Sequence, residues 1–193
     1  MRLFVLARHA HSSLNEEGRV NGDPSAPVAL TELGRGQAEQ LGHEVANVAL
    51  ELAVHTRFGR TLETAKLALG HRGVPLREEA LLDDVDIGDL EGWSIADYRE
   101  WKRHHARSDP FPGGESLDDA GRRYARAFRA LLARDEQAAL VVCHEIPIRY
   151  ALNAAAGSGD LDGPEHAIPN ATPYLFDERM LERAAEQIEH IVG

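Results

Sequence analysis

The chain is poor in cysteine and in long apolar runs. Cys143 is the only cysteine among its 193 residues, so the chain can form neither an intrachain disulfide nor a Cys-x-x-Cys zinc site. The apolar run after Met1 and Arg2 has five residues, fewer than a signal-peptide core, whereas a membrane-spanning helix needs about 20. We therefore expect a soluble protein of the cytoplasm with no membrane partner.

Positive charge is scarce as well. The chain has 21 lysines and arginines against 32 aspartates and glutamates, which gives a formal net charge of −11. An acidic protein of this kind is repelled by nucleic acids and by anionic membranes, so we predict no nucleic-acid partner. An anionic substrate would need a locally positive pocket.

The length of the chain favours one domain. A chain of 193 residues can bury a sizeable core, but it is too short for two full domains. Strand-like and helix-like segments alternate along it, which is typical of an α/β protein with a mostly parallel sheet. We predict a single domain over residues 1–193, in which the proline-, glycine- and tryptophan-containing segment 86–115 is inserted as a small cap.

Three short apolar runs predict buried strands, at residues 3–7, 52–56 and 138–145. Helix signals lie between them. Thr31 is a candidate N-cap before an apolar face that extends to Val48. Residues 60–70 form a helical pattern that ends at a glycine.

Ser94 and Ser116 each begin a capping-box pattern, which predicts two further helices. The second of these is long and amphipathic. Pro147 suits the first turn of another helix, which Gly157 would end.

Histidines and arginines follow the predicted strands. Arg8 and His9 come directly after the first strand, His144 comes at the end of the last, and Arg57 and Arg60 follow the second. In open α/β sheets, ligands bind outside the carboxyl ends of the strands. These side chains should therefore converge at one edge of the sheet.

Two imidazoles among several guanidinium groups indicate phosphoryl chemistry. A metal site needs neutral or anionic ligands, and arginine repels the cation, so we expect no metal and no other cofactor. Guanidinium groups match the oxygens of a phosphoryl group, and a neutral histidine can attack its phosphorus atom. The expected partner is a small phosphorylated metabolite.

Several motifs, in order, resemble those of the histidine phosphatase superfamily of phosphoglycerate-mutase-like proteins, and the resemblance covers nearly the whole chain. They are the Arg8-His9-Ala10 segment with Ser12 and Asn15, PVALTELGRGQA at 27–38, TRFGRTLETA at 56–65, DVDIGDLEG at 84–92, PGGES at 112–116, LVVCHEIPIR at 140–149 and IPNAT at 168–172. The resemblance implies a three-layer α/β/α sandwich with a mostly parallel central sheet. It favours the phosphatase members of the superfamily.

The resemblance also implies roles for individual residues. His9 would carry a phosphoryl group as phosphohistidine, Asp84 would be the general acid, and His144 would complete the catalytic set. The phosphoryl oxygens would be held by Arg8, Asn15 and Arg60 together with His144. Further substrate contacts are assigned to Ser12, Asn21, Gly22 and Glu145. Arg57 would have no role in phosphate binding.

Three positions depart from the family pattern. Ala10 stands where relatives have glycine, which is harmless only if its φ is negative. Asp84 stands where glutamate is usual, and Glu145 stands where many relatives have glycine. Glu145 also follows the second histidine, where the acid-phosphatase branch places its acid, so Asp84 and Glu145 both remain candidates for the proton donor.

Two other features have plainer interpretations. Cys143 lies inside a predicted strand, where a thiol is buried and inert rather than nucleophilic. The basic run 102–107 is typical of a solvated helix face, with contact to the substrate as the alternative.

We therefore expect a metal-independent phosphatase of small phosphomonoesters. A phosphoglycerate mutase and a non-catalytic module that binds phosphate or a phosphoprotein remain as alternatives. The sequence does not identify the substrate, and it leaves open whether the protein is a monomer or a homodimer.

Overall fold

The computed structural model describes residues 2–193. Its five strands are β1 (Leu3–Arg8), β2 (Leu52–His55), β3 (Leu76–Glu78), β4 (Ala138–Cys143) and β5 (Pro173–Asp177). Its seven α-helices are α1 (Ser13–Glu16), α2 (Glu32–Glu44), α3 (Gly59–Leu69), α4 (Ile95–Arg103), α5 (Leu117–Leu132), α6 (Glu145–Ala155) and α7 (Glu178–Val192). Short 3₁₀ helices span Ala80–Leu82 and Gly88–Leu90.

The strands form one sheet in the order β3-β2-β4-β1-β5, in which only β5 runs antiparallel to its neighbour. Side chains alternate between its two faces. Val5 and Ala7 of β1 pack with α2 and α3, whereas Phe4 and Leu6 pack with α5, α6 and α7. The predicted α/β class and the three-layer sandwich are confirmed.

The predicted elements are found with small shifts at their ends. The Thr31 hydroxyl caps α2 by accepting a hydrogen bond from the amide of Gly34. The helix ends at Glu44, and Val48 packs against the same core from the turn beyond it. The last predicted strand stops at Cys143 because His144 already has the extended conformation of the α6 N-cap. No helix within residues 2–193 has the length and apolar character of a membrane span.

Segment 86–115 contains the second 3₁₀ helix and α4. Trp101 and Tyr98 of α4 stack on Phe111, with ring centroids 4.4 and 5.7 Å apart. One face of α4 is thereby held against the rest of the segment and, through Phe111, against the core around α5. That this segment acts as a cap stays a prediction.

Helix α2 approaches the loop after β1 closely at Gly34. A Cβ atom at this position would lie 2.0 Å from the carbonyl oxygen of His11, while one at Gly36, in the same helix, would have no neighbour within 4 Å. The loop that follows His9 is therefore held against α2 by backbone contact.

We predict opposite effects on stability for alanine at these two glycines. Gly34→Ala should lower the free energy of unfolding by about 1–3 kcal/mol, since the new methyl group overlaps backbone atoms. Gly36→Ala should raise it by about 0.5–1 kcal/mol, because alanine is the better helix former and the site is open. Urea denaturation measures both, and a loss of similar size in the two variants would contradict the close approach.

Candidate active site

The sheet register places two histidines side by side. Arg8 of β1 pairs with Cys143 of β4, so the next residues, His9 and His144, leave the sheet at neighbouring positions. The amide of His9 donates a hydrogen bond of 2.9 Å to the carbonyl of Cys143. The two imidazole rings lie 5.5 Å apart, centroid to centroid, and both are buried.

The backbone fixes the tautomer of His9. Its Nδ1 lies 2.9 Å from the carbonyl oxygen of Ala10. A carbonyl can only accept, so Nδ1 carries the proton and Nε2 holds a free lone pair. The backbone around this ring is fixed in turn, because Ala10 N donates to Thr64 Oγ1 at 3.0 Å and Asn170 Nδ2 donates to His9 O at 2.7 Å.

A chain of hydrogen bonds fixes the opposite tautomer in His144. Its Nδ1 lies 3.3 Å from Nη2 of Arg60, which can only donate, so Nδ1 accepts and Nε2 carries the proton. Nε2 then donates to Thr56 Oγ1 at 3.0 Å. The Thr56 hydroxyl donates to Thr61 Oγ1 at 2.9 Å, and Thr61 donates to the carbonyl of Phe58 at 2.8 Å.

Two arginines approach the same space from different elements. Arg8 Nη1, at the end of β1, lies 2.9 Å from both the carbonyl of Ile168 and Oε2 of Glu145. Arg60, in the first turn of α3, is nearly fully buried, and its guanidinium lies 4.4 Å from the ring centre of Phe58. These two groups give an acidic protein a locally positive pocket.

Asp84 is the acidic group closest to both Arg60 and His144. Its Oδ2 lies 3.4 Å from Arg60 Nη2 and 3.4 Å from His144 Nδ1. Burial raises the pKa of Asp84, and the charge of Arg60 opposes that increase. A protonated Asp84 could share the Nδ1 lone pair of His144 with Arg60, whereas the carboxylate would be repelled by that lone pair.

Both histidines are held neutral. Burial lowers the pKa of His9 and of His144 well below the usual value, and the nearby charges of Arg60 and Arg8 lower each of them further. A neutral His9 with a free Nε2 lone pair can act as a nucleophile.

Most of these groups line a cavity of about 400 Å³, but the fully buried His144 is not part of the lining. We call the part of the lining formed by His9, Arg8, Asn15, Arg60 and Asp84 the polar end. The size of the cavity suits a small organic ligand. The arrangement can hold a phosphoryl group between guanidinium groups and present a nucleophile and a proton donor to it.

Comparison with known proteins agrees with this chemistry. The profile of the histidine phosphatase superfamily (branch 1) matches residues 4–187. The chain belongs to this superfamily.

Two curated relatives are named 2,3-bisphosphoglycerate-dependent phosphoglycerate mutases. The protein from Beijerinckia indica is 36% identical over 134 residues, which cover 61% of this chain and 62% of the relative, less than two thirds of each. The protein from Gloeobacter violaceus is 32% identical over 167 residues, covering 79% of this chain and 74% of the relative.

Among solved structures, the alpha-ribazole phosphatase from Shigella flexneri superposes with a TM-score of 0.79. It is 23% identical, and the match covers 91% of this chain and 90% of that one. This likeness shows the phosphoglycerate-mutase-like fold.

Most of the residues predicted to form the site lie around the cavity. Ser12 and Asn15 both line it, and they also form the capping box of α1, in which Ser12 accepts from the amide of Asn15. Asn21 and Glu145 line it as well. Gly22 does not: its amide donates to Glu91 Oε2 at 2.7 Å, and the residue lines a neighbouring cavity instead.

Glu91 and Thr56 are two supporting residues that the sequence analysis missed. Glu91 Oε1 accepts from Asn21 Nδ2 at 2.7 Å, and Asn21 Oδ1 accepts from Arg60. Glu91 thus orients Arg60 through Asn21, as Thr56 orients His144. Glu91 lies in the motif DVDIGDLEG and Thr56 in the motif TRFGRTLETA. Their positions inside these motifs were the signal from which a role at the site could have been predicted.

The structure shows the backbone conformation or the contacts of the three residues that depart from the family pattern. Ala171 is the one non-glycine residue with positive φ within residues 2–193, so Ala10 is unstrained. Asp84 reaches both Arg60 and His144 with its shorter side chain. Glu145 forms ion pairs with Arg8 at 2.9 Å and with Arg149 at 3.2 Å.

The plainer interpretations of other residues can also be compared with the structure. Cys143 is fully buried, and burial raises its thiol pKa, which confirms an inert position. Arg57 pairs with Asp83 and is absent from the cavity lining. In the basic run, Lys102 lines the cavity, whereas Arg103 is exposed and pairs with Glu100.

We predict that the two neutral histidines make the fold acid-sensitive. The unfolded chain protonates its histidines as the pH falls below about 6.5, while the folded chain keeps His9 and His144 neutral. Each should therefore reduce the free energy of unfolding by up to about 1.4 kcal/mol between pH 7.5 and 5.5. Chemical denaturation at the two pH values measures this loss.

The pH dependence should be smaller in His144→Gln than in the wild type. His43→Gln is the matched control, because His43 is an exposed residue of α2 and should leave the dependence unchanged. If the free energy of unfolding changes equally with pH in all three proteins, His144 takes up a proton in the folded protein as readily as in the unfolded chain.

Proposed function

We propose that this chain is a metal-independent phosphatase that hydrolyses small phosphomonoesters through a phosphohistidine on His9. The observation that carries the proposal is the geometry at His9. Its Nδ1 proton is committed to the carbonyl of Ala10, so the Nε2 lone pair is free, beside the guanidinium groups of Arg8 and Arg60. A phosphomonoester dianion bound there would present its phosphorus atom to that lone pair.

In the first step, Nε2 of His9 attacks phosphorus, and the bond from phosphorus to the leaving oxygen breaks. The phosphoryl oxygens are held by Arg8, Arg60 and Asn15, and the imidazole of His144 lies beside them. The protonated carboxyl group of Asp84 gives its proton to the leaving oxygen, which departs as an alcohol.

In the second step, Asp84 is a carboxylate and takes a proton from a water molecule. The oxygen of that water attacks phosphorus, the nitrogen-phosphorus bond breaks, and its electron pair returns to Nε2 of His9. Inorganic phosphate leaves, and both His9 and Asp84 regain their starting forms. Throughout both steps, Nδ1 keeps its proton and donates it in a hydrogen bond to the Ala10 carbonyl, which stabilises the charge on the phosphorylated ring.

The contacts favour Asp84 over Glu145 as the proton donor. Glu145 is paired with two arginines, Arg8 and Arg149, which stabilise its charged form. The Asp84 carboxyl group contacts one arginine, Arg60, at a longer distance, and burial raises its pKa. A donor must be protonated when substrate binds, and Asp84 meets that condition better.

Metal independence rests on the charges at the polar end of the cavity. A divalent cation there would lie next to Arg8 and Arg60, which repel it. We therefore expect EDTA to leave activity unchanged. The expectations that the protein is cytoplasmic and is a monomer or a homodimer stay predictions.

Phosphoglycerate mutase activity is the second candidate, because the two relatives above carry that name. A mutase returns the phosphoryl group from histidine to another hydroxyl and must keep water away from it. Conversion of 3-phosphoglycerate to 2-phosphoglycerate without release of phosphate would identify it. A non-catalytic binding module would show neither reaction.

We predict a phosphoenzyme on His9. Rapid quenching of a reaction with p-nitrophenyl phosphate should trap protein-bound phosphate that survives base and is lost in acid, the behaviour of a phosphorylated imidazole. His9→Ala should abolish both the trapped species and turnover. The same assay in EDTA should give unchanged rates.

His43→Ala serves as the control, since this exposed histidine lies on α2, away from the cavity. Trapped phosphate that persists in His9→Ala would move the nucleophile elsewhere. Inhibition by EDTA that one divalent ion reverses would restore a metal mechanism.

We also predict that Asp84, not Glu145, protonates the leaving group. General acids typically contribute about 100-fold to 10,000-fold, and less when the leaving group is already a weak base. Asp84→Asn should therefore reduce kcat about 100-fold or more on an alkyl phosphate and only mildly on p-nitrophenyl phosphate. Glu145→Gln should change kcat little on either substrate.

The comparison of the two substrates separates proton donation from a structural defect. A variant that is merely misfolded loses activity on both alike. If Glu145→Gln shows the selective loss and Asp84→Asn does not, the acid is Glu145.

A further inference from the structure

The rest of the cavity lining differs in character from the polar end. Seven of the lining residues are apolar or aromatic: Leu14, Val20, Val85, Ile87, Ile95, Tyr98 and Ile146. They come from α1, from the loops after α1 and β3, from α4 and from α6, so they surround the space from several sides. We call this part of the lining the apolar wall.

Three members of the apolar wall, Val85, Ile87 and Ile146, are buried, and the other four are half-buried. Tyr98 is held rigidly, because its ring stacks on Phe111 at 5.7 Å and Lys102 lies 5.9 Å from its centre. A rigid apolar surface next to a phosphate site can bind the organic part of a substrate without the cost of ordering side chains.

Two cationic residues of the cavity lining, Lys102 and Arg149, form ion pairs with carboxylates of the protein. Lys102 lies 3.8 Å from Asp162, and Arg149 lies 2.7 Å from Asp162 and 3.2 Å from Glu145. These cations are therefore already paired with carboxylates of the protein. A second anionic group on the substrate would have to compete with those carboxylates.

Two more arginines lie at the rim of the cavity. Arg19 is exposed and pairs with Glu17 at 3.5 Å, and Arg99 is exposed without an ion pair to any of residues 2–193. Exposed charges are screened by water and salt, so they add little binding energy. Glu145, by contrast, lies directly beside Arg8 and repels a carboxylate close to the phosphoryl group.

We propose that the apolar wall selects phosphomonoesters whose leaving group is an uncharged alkyl or aryl group, and disfavours carboxylated ones such as phosphoglycerates. This inference rests on the proposed phosphatase function for its identification of the polar end. It assigns the apolar wall a ligand chemistry of its own, namely apolar contact with the alkyl or aryl group of the substrate.

Binding of alkylphosphonates tests the inference without any need for turnover. These compounds keep the charged head group and replace the labile oxygen with a methylene group. Each methylene that is transferred from water to the apolar wall should tighten binding about twofold to fourfold. Titration calorimetry should therefore show hexylphosphonate binding at least tenfold more tightly than ethylphosphonate.

A matched pair of ligands tests the discrimination against carboxylates. Butylphosphonate and 4-phosphonobutyrate share a four-carbon chain, but the second ends in a carboxylate. The inference requires butylphosphonate to bind more tightly. Tighter binding of 4-phosphonobutyrate that is lost in Arg99→Gln would overturn the inference and show that the rim selects a second anion.

Variants connect the effect to the apolar wall. Ile95→Ser, at the half-buried first position of α4, should weaken hexylphosphonate several-fold and leave ethylphosphonate unchanged. Leu14→Ser offers a second half-buried position in case the first disturbs α4. Leu33→Ser, at an exposed leucine of α2 outside the cavity, is the control and should change neither affinity.

The two proposals fail in different ways. Equal affinity for ethylphosphonate and hexylphosphonate overturns the apolar selection, even if alkyl phosphates are hydrolysed. Chain-length-dependent binding without hydrolysis of hexyl phosphate and without a phosphoenzyme overturns the phosphatase function and leaves the apolar site standing. Hydrolysis of alkyl phosphates with kcat/KM rising along the series supports both.

Discussion

The parallel pairing of β1 with β4 is the constraint on which the site depends. Its register brings Arg8 opposite Cys143 and continues as the hydrogen bond from the His9 amide to the Cys143 carbonyl. Both imidazoles therefore leave a fully buried part of the sheet, and their relative position is as rigid as the core. A shift of one residue in this register would turn each side chain of β1 to the other face and separate the histidines.

Burial at this sheet edge determines the charge state of the site. An uncompensated guanidinium group is expensive to bury, and Arg60 is in contact with the carboxyl group of Asp84 and with two oxygen atoms of Asn21. The same burial keeps His9 neutral and raises the pKa of Asp84. A nucleophile needs the first condition and a proton donor the second, so one physical cause prepares both groups for the proposed reaction.

The sequence predicted the features that depend on local patterns. Apolar runs located β1, β2 and β4, and Thr31 and Ser116 marked the starts of α2 and α5. The three-residue strand β3 and the edge strand β5 are too short or too exposed to show such a pattern. The hydrogen bond between Asn21 and Glu91 joins residues 70 positions apart. Thr56, which follows β2, forms its hydrogen bond with His144, which follows the neighbouring strand β4. Such contacts depend on tertiary structure, which a spacing rule does not encode.

Glu145 fits the local helix structure and also contributes a charge that bears on the proposed specificity. It occupies the first turn of α6, where the helix dipole favours an acidic residue, so local structure accepts it readily. Its carboxylate then lies between Arg8 and Arg149, and it adds a negative charge to the cavity in which we propose that a phosphoryl group binds. Arg8 offsets part of that charge for the phosphoryl group, which also has Arg60. A second anion on the substrate would have to compete with Asp162 and Glu145 for Lys102 and Arg149, and the apolar wall would only desolvate it.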